Sequence, residues 1–354
     1  MRGNAEVRNE HPVCGRTETT ADVAVCNLTE LLKAEQRCHR GVGYKNSVAR
    51  YHMLRLSKTY ATLIELESGT YHTQKGDNFV IHEPKYRVVT STKYKDRIPQ
   101  ASFVVNRYYP LVASNLIDNN FACLKGKGVD RAREALADIL RESSIEEYAL
   151  KVDFKDYFGS IDHRKLVEEL GEHIQDEWDR WFLRDIFGSN GSDIGITLGS
   201  EPNQLCAVAF LNPLDHMLSA GRYVRYMDDL VYIGSKDRVL AAYRVIQEEA
   251  ARLGLNISKK KTYIQSLKNP VSFLGFTFLL HPTGRVTMKR KTDKLNNEKR
   301  KLRRMKNKGI PFAAVEEHYR CVRSVMKKGS RSGVVKLDRY FNRLFEEEIK
   351  NGNR

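Results

Sequence analysis

The chain has 354 residues, which is more than one minimal domain needs and enough to bury a large core. Lysine and arginine number 60 against 44 aspartate and glutamate residues, so the formal net charge is +16, and the 41% hydrophobic content excludes wholesale disorder. The sequence lacks an apolar run of membrane-spanning length and a secretory signal, which predicts a cytoplasmic protein that does not enter a membrane. The positive charge favours a polyanionic partner, either nucleic acid or an acidic membrane surface.

The six cysteines are scattered and form no CxxC pair, which argues against a disulfide framework and against a zinc knuckle. Three cysteines and a histidine near the N-terminus could be imagined as zinc ligands: Cys14, Cys26, Cys38 and His39. Their spacing matches no usual zinc motif. We therefore expect reduced thiols and no structural zinc.

The N-terminal half reads as an extension followed by mixed helix and hairpin. Residues 1–45 form a loosely specified extension that ends in a short helix over 28–40. The stretch 61–89 predicts a helix, a turn at Ser68–Thr70 and a β-hairpin. Apolar residues recur at helical spacing over 129–140, which predicts an amphipathic helix there.

The next part of the chain alternates strand and helix patterns. A strand is predicted over 148–154, and two short apolar runs over 223–233 flank a charged tip. A helix is predicted over 238–253 from its apolar spacing, and 272–280 is an almost unbroken apolar stretch that predicts one strand.

A strongly basic segment begins near the end of this pattern. From Lys289 to Lys308 there are 11 lysine or arginine residues against two acids, Asp293 and Glu298. Because apolar residues are sparse there, we predict a helix that faces phosphates, with a merely solvated helix face as the alternative.

The most informative short segment is Tyr226-Met227-Asp228-Asp229, set between the two apolar runs. This pattern predicts a hairpin with the paired acids at its tip. Adjacent anions in partly apolar surroundings repel each other, which raises their pKa values unless a cation joins them. An ordinary acidic turn is the alternative reading.

A third acid, Asp153, ends the predicted strand over 148–154. If this strand lies beside the hairpin, three carboxylates converge. Such a site can hold two Mg²⁺ ions about 3.5–4 Å apart, which clamp the attacking and leaving oxygens of a phosphoryl transfer. Magnesium prefers carboxylate and phosphate oxygens, and Mn²⁺ is the expected substitute.

These segments resemble motifs A and C of reverse transcriptases, with the YxDD box written YMDD at 226–229. Further segments resemble the other motifs in the family order: the finger motif at 85–100, the GKG segment at 121–132, motif B at 197–215, motif D at 254–264 and the primer grip at 273–276. The match spans about 50–280. The resemblance implies an RNA-directed DNA polymerase whose partners are template RNA, a primer and dNTPs.

The implied fold is an α+β right-hand polymerase with fingers, an antiparallel-sheet palm of RNA-recognition-like type and a helical thumb. Its expected boundaries are an N-terminal extension at 1–45, fingers at 46–145, palm at 146–282 and a basic helical thumb at 283–354. A second contribution to the fingers is expected at about 165–196.

The resemblance also implies roles for individual residues. Asp153, Asp228 and Asp229 would be the catalytic acids and metal ligands, and Lys261 would donate a proton to the pyrophosphate leaving group. Phe158 would select deoxynucleotides by clashing with a 2′-hydroxyl. The expected nucleotide-binding residues are Lys85, Arg87, Phe154, Phe158, Leu198, Gly199 and Gln204. The expected primer and template contacts are Phe273, Leu274, Gly275, Phe276, Lys299, Arg300, Arg303 and Arg304.

Motif B departs from the usual family pattern and suggests a subtype. Thr197-Leu198-Gly199 stands where most members have Pro-Gln-Gly, and Asn203-Gln204 stands where Ser-Pro is usual. Diversity-generating retroelement enzymes, in contrast, typically have an aliphatic residue, Gly, three further residues and then Ser-Gln. This chain resembles that pattern, except that Asn203 replaces the Ser. That subtype implies an error-prone enzyme with a small basic accessory protein. The alternatives are a phage-defence or unclassified bacterial reverse transcriptase, and a non-catalytic RNA-binding scaffold.

Overall fold

The computed structural model of the chain describes residues 27–82, 86–171, 174–290, 293–327 and 331–352. Most of the predicted N-terminal extension, and with it Cys14 and Cys26, lies outside these ranges. The strands are β1 (Asp77–Ile81), β2 (Arg87–Ser91), β3 (Tyr148–Asp153), β4 (Arg222–Tyr226), β5 (Asp229–Gly234), β6 (Tyr263–Ser266), β7 (Val271–Phe273), β8 (Phe276–Leu280) and β9 (Val286–Arg290).

Helices precede, separate and follow these strands along the described residues. They are α1 (Leu28–His39), α2 (Asn46–Met53), α3 (Arg55–Glu67), α4 (Tyr94–Phe103), α5 (Tyr109–Asn115), α6 (Val129–Arg141), α7 (Tyr157–Ser160), α8 (His163–Gly171), α9 (Glu177–Gly188), α10 (Glu201–Phe210), α11 (Asn212–Leu218), α12 (Lys236–Leu253), α13 (Asp293–Asn307), α14 (Phe312–Lys327), α15 (Arg331–Leu344) and α16 (Glu346–Gly352). One turn of π-helix, Val104–Tyr108, joins α4 to α5. None of the helices in the described ranges combines the length and the apolar content that a membrane crossing needs.

Local patterning explains the helices that the sequence predicts. The helix predicted over 129–140 is α6, and it buries Ala132, Leu136 and Leu140 on one face. The helix predicted over 238–253 is α12, which begins where the Ser235 hydroxyl accepts a hydrogen bond from the backbone N–H of Arg238. Both predictions are confirmed, because in each helix the apolar residues recur at helical spacing and form the buried face.

The central sheet is antiparallel, with strand order β4-β5-β3-β6. Strand β3 lies inside this sheet and buries Leu150 and Val152 completely, which accounts for its nearly continuous apolar sequence. Strands β1 and β2 form a separate antiparallel hairpin, as predicted. The mixture of helices with antiparallel sheets confirms the predicted α+β class.

The single strand predicted over 272–280 is wrong. The stretch forms two antiparallel strands, β7 and β8, which pair with each other, and β8 also pairs with β9 to complete a three-stranded sheet. Leu274 and Gly275 have φ values of 44° and 80°, so the backbone reverses between Phe273 and Phe276. Glycine tolerates this left-handed conformation without steric cost, and a single glycine within an apolar run is the signal that the strand assignment missed.

The buried residues form separate clusters. The largest runs from Leu31 in α1 to Leu255 after α12, so the predicted fingers and palm share one continuous core. A second cluster lies between α6 and the sheet of β7, β8 and β9. The helices from α13 onward have a core of their own, built around Leu302, Val315 and Leu337.

Candidate active site

Two neighbouring strands bring the predicted acidic residues together. Strand β3 pairs with β5, and Asp153 at the end of β3 lies opposite Asp229 at the start of β5. Strands β4 and β5 are joined by a two-residue turn, Met227-Asp228, because Tyr226 pairs directly with Asp229. The backbone positions of the three acidic residues therefore lie at the same end of the β3–β5 pair, as the pairing of β3 with the hairpin requires.

The turn that carries Asp228 has an uncommon backbone conformation. Met227 has a φ of 55°, in the left-handed region that favours glycine. The first central residue of a two-residue hairpin turn often has this conformation. For a side chain other than glycine it costs about 1–3 kcal/mol and persists only where surrounding contacts hold it.

The electrostatics of the carboxylates indicate an excess of negative charge. Burial raises the pKa of Asp228, and the charge of Asp153 raises it further, while Lys151 and Lys261 lower it. The ammonium of Lys261 lies 2.5 Å from Asp153 Oδ1. The ammonium of Lys151 contacts Asp229 Oδ1. Three carboxylates thus face two ammonium groups.

Lys151 is a site residue that the sequence reasoning missed. It is only 7% exposed, and its ammonium also lies 5.5 Å from the centre of the Phe273 ring. It precedes Asp153 by two positions on β3, so the two side chains point to the same face of the strand. A lysine within an otherwise apolar strand was the signal that could have identified it.

The donor chemistry of the three acids fits Mg²⁺, because carboxylate oxygens are its preferred protein ligands. The pKa of Asp228 is raised by burial and by the charge of Asp153, and a bound cation would lower it. Within the ranges that the structure describes, no three His, Cys, Asp or Glu side chains are already gathered as a metal-binding group. In the same ranges, Asp153 and Asp229 each contact a lysine.

The aromatic segment after Asp153 separates into core and surface positions. Phe154 is 2% exposed and belongs to the core. Its ring is therefore not accessible for the nucleotide contact that was expected of it. Tyr157 is buried, and its hydroxyl donates to the carbonyl of Ala207. Phe158 is half-buried, and its carbonyl accepts from Ile196 N–H at 2.9 Å, beside the start of motif B.

The motif B segment lies against the β1–β2 hairpin. The backbone N–H of Thr90 in β2 donates to the carbonyl of Leu198 at 3.2 Å. Gly199 has a φ of 117°, and a Cβ there would lie 2.7 Å from the Thr90 carbonyl oxygen, so this close approach requires glycine. Asn203 is buried and donates to the hydroxyl of Thr197 at 2.8 Å, whereas Gln204 is half-buried.

The predicted contacts of the hairpin and of the primer grip differ in accessibility. Arg87 is exposed at the start of β2, and Lys85 lies outside the described residues. Phe273 and Phe276 are core residues on either side of the turn. Leu274 and Gly275 form the half-buried turn itself, and Arg133 donates to the Leu274 carbonyl at 2.6 Å.

The basic residues predicted to contact the template and primer lie on α13. Arg300, Arg303 and Arg304 are exposed, whereas Lys299 is half-buried with its ammonium 5.4 Å from the centre of the Tyr340 ring. Leu302 on the same helix is buried in the C-terminal core. The helix therefore packs through one face and leaves its arginines available on the others.

Residues 74–278, more than half of the chain, match the family model described as "Reverse transcriptase (RNA-dependent DNA polymerase)". No curated protein matches the chain. An apo telomerase structure from Candida tropicalis is 10% identical, with a TM-score of 0.46, over 69% of this chain and 54% of that chain. A telomerase from Candida albicans, in complex with the TWJ fragment of telomeric RNA, is 12% identical, with a TM-score of 0.46, over 63% and 46%. The chain thus spans about half the length of these two structures.

Proposed function

The chain belongs to the reverse transcriptase (RNA-dependent DNA polymerase) family, and on that premise we propose that it copies an RNA template into DNA by extending a primer with dNTPs. The observation that carries the proposal is the strand register that places Asp153, Asp228 and Asp229 at the same end of the β3–β5 pair. Acids gathered in this way suit nucleotidyl transfer, because that reaction develops negative charge on the phosphoryl oxygens.

Each residue of the proposed site has a distinct task. The three acids would hold two Mg²⁺ ions, which when bound would activate the primer hydroxyl and stabilise the leaving oxygen. Arg87 would bind the triphosphate from the hairpin, and Phe158 would lie under the sugar. Lys261 would donate a proton to the pyrophosphate, a role that its position beside Asp153 permits.

Incorporation of labelled dTTP on a poly(rA)/oligo(dT) template with Mg²⁺ tests the activity directly. The proposal expects template-dependent, metal-dependent extension of the primer. Binding of the template and primer without any extension, in Mg²⁺ or in Mn²⁺, would instead support a non-catalytic RNA-binding scaffold.

The basic face of α13 is proposed to hold the template and primer through their phosphates. Replacing Lys299, Arg300, Arg303 and Arg304 with glutamine should weaken binding of unrelated RNA sequences about equally. The slope of log K against log salt should become shallower by roughly 0.7–0.9 for each lost phosphate contact. Fluorescence anisotropy with two unrelated RNAs over a salt series measures both quantities.

A matched control removes positive charge from another exposed helix surface. Lys236, Arg238 and Arg244 are exposed on α12, and replacing them with glutamine should leave the salt slope unchanged. If the α13 variant kept the slope of the unaltered protein, its basic face would be merely solvated or would serve a protein partner.

Motif B supports a finer proposal, that the chain is the error-prone enzyme of a diversity-generating retroelement. Its supporting feature is Leu198-Gly199, followed by Asn203-Gln204, in place of the glutamine-containing family pattern. A small basic accessory protein is a further partner in this proposal. A phage-defence or unclassified bacterial enzyme is the alternative, and the fidelity of copying separates the two.

We expect elevated misincorporation opposite template adenine, partly corrected by Leu198→Gln. A hydrogen bond that forms only with correct geometry contributes about 0.5–1.5 kcal/mol, which corresponds to roughly two- to tenfold in selectivity. An aliphatic side chain cannot supply that contact. Sequencing cDNA copied from a defined RNA measures the error at each template base.

Leu198→Met is the control, because it stays aliphatic and should copy with the error rate of the unaltered protein. Accurate copying of adenine by the unaltered protein would contradict the diversity-generating proposal. The alternative subtype would then be the better one.

A further inference from the structure

Among the residues that the structure describes, Arg225 is the largest fully buried side chain, with 0% exposure. It lies on β4, three residues before Asp228. Its Nη1 donates to the carbonyl of Met227 at 2.9 Å, and its Nη2 donates to the carbonyl of Val208 at 3.0 Å. One guanidinium therefore joins the turn that carries Asp228 to the last turn of the motif B helix, α10.

Asp215 on α11 holds this guanidinium in place. Arg225 Nε donates to Asp215 Oδ1 at 2.7 Å, and Nη2 contacts Asp215 Oδ2, so the pair is bidentate. The hydroxyl of Tyr223 also donates to Asp215 Oδ1, at 3.0 Å. Bidentate pairing fixes both the position and the plane of an arginine, so the direction of its bond to Met227 is specified.

The same helix end makes a second connection to the site. The carbonyl of Ala207, next to that of Val208, accepts the hydroxyl of Tyr157, the residue before Phe158. The last carbonyls of a helix have no partner within the helix. Here two consecutive carbonyls accept from the two segments that carry Phe158 and Asp228.

We propose that Arg225, clamped by Asp215, is a positioning residue that holds the Met227–Asp228 turn so that the Asp228 carboxylate would be placed to bind a metal ion. The inference rests on the proposed function, which supplies the metal. Met227 has a left-handed conformation that surrounding contacts must maintain, and Arg225 bonds to its carbonyl. Residues that orient metal ligands typically change metal affinity or activity 10- to 100-fold when replaced.

The test must separate positioning from the general stability that a buried ion pair provides. Arg225→Met alone would strand the buried Asp215 charge and could unfold the protein. The double variant Arg225→Met/Asp215→Leu removes both charges and restores apolar packing, so it should keep much of its thermal stability. It still lacks the bond to Met227, and positioning therefore predicts that its metal binding stays impaired.

A buried arginine outside the acidic cluster supplies the matched control, and it contacts two acids, because Arg107 Nη2 lies 2.7 Å from Oδ2 of the partly exposed Asp176. Arg107 Nε lies 2.5 Å from Asp179 Oδ2, and these residues are 8% and 1% exposed. Arg107→Met/Asp179→Leu should change thermal stability to a similar extent, without changing metal affinity.

Two readouts are needed, and one does not depend on activity. Mn²⁺ binding to each folded protein is measured by electron paramagnetic resonance of free Mn²⁺, and the Mg²⁺ concentration for half-maximal dNTP incorporation is measured in parallel. For Arg225→Met/Asp215→Leu we expect weaker Mn²⁺ binding and a higher Mg²⁺ requirement, each by roughly 10- to 100-fold. The Arg107→Met/Asp179→Leu control should match the unaltered protein in both.

The outcome that overturns the inference is a folded double variant with unaltered Mn²⁺ affinity and Mg²⁺ requirement. If that variant does not fold, Arg225→Lys decides. It keeps the charge beside Asp215 but loses the bidentate pairing that fixes the direction of the bond to Met227. Unaltered metal affinity in this variant would therefore also refute positioning. Failure of the unaltered protein to incorporate dNTPs would count against the proposed function instead, and the Mn²⁺ measurement would still test Arg225.

Discussion

Replacing Asp228 with asparagine should abolish DNA synthesis while leaving the fold and RNA binding intact. The turn residue is half-buried, and asparagine preserves its shape. Only the charge is lost, and a site that binds two divalent cations depends on that charge. We expect the rate of dNTP incorporation to fall by more than about 100-fold, which exceeds the usual cost of changing a residue that merely orients a metal ligand.

Asp237→Asn provides the control, because this exposed carboxylate lies in the first turn of α12. It should retain the activity of the unaltered protein. Template-primer binding by anisotropy and thermal unfolding of both variants would establish that each is folded. Near-normal polymerisation by Asp228→Asn would remove the YMDD segment from the catalytic site.

Phe158→Ala should admit ribonucleotides and narrow the preference for dNTPs. Phe158 is half-buried beside the start of motif B, whereas the other two aromatic residues that follow Asp153, Phe154 and Tyr157, are buried. Forcing an additional group into a filled site costs typically 1–3 kcal/mol, so removing the ring should shift the ratio of kcat/KM for dGTP and GTP by up to about 100-fold. Single-template kinetics with both nucleotides measure that ratio.

Phe158→Tyr is the matched control, since it keeps the ring and should keep the discrimination. Phe154→Ala would not serve, because that side chain is a core residue and its loss would lower stability. An unchanged ratio in Phe158→Ala would assign the ring to packing.

The elements that the sequence predicts well are those whose side chains repeat with a clear period. Helix α6 follows from apolar residues that recur every three to four positions, and the β4–β5 hairpin follows from two apolar runs around paired acids. The prediction of one strand over 272–280 is wrong because an apolar run indicates that residues are buried but does not indicate where the chain reverses. The reversal at Leu274 and Gly275 depends on two backbone angles that the hydrophobic pattern does not reveal.

Some residues of the candidate site could likewise be predicted from the sequence, and others could not. The three acids could be predicted because paired carboxylates at a turn, and a carboxylate ending a strand, are unusual within apolar sequence. The sequence did not reveal the contact of Lys151 with Asp229, because these residues are distant along the chain. It did not reveal the bonds of Arg225 to Val208 and Met227 either, because both acceptors are backbone carbonyls. Every residue has a backbone carbonyl, so the residue type does not indicate which carbonyl a side chain will bond to.

By itself, the sequence determined the α+β class, the acidic residues of the candidate site and the family to which the chain belongs. Only the tertiary structure decided how those residues are held: the register that sets Asp153 opposite Asp229, the approach of Thr90 to Leu198, and the guanidinium that bonds to the Met227 carbonyl. The physical reason is that residue type specifies charge, size and local conformational preference. Backbone hydrogen bonds and strand register, in contrast, are selected by the packing of distant segments against one another.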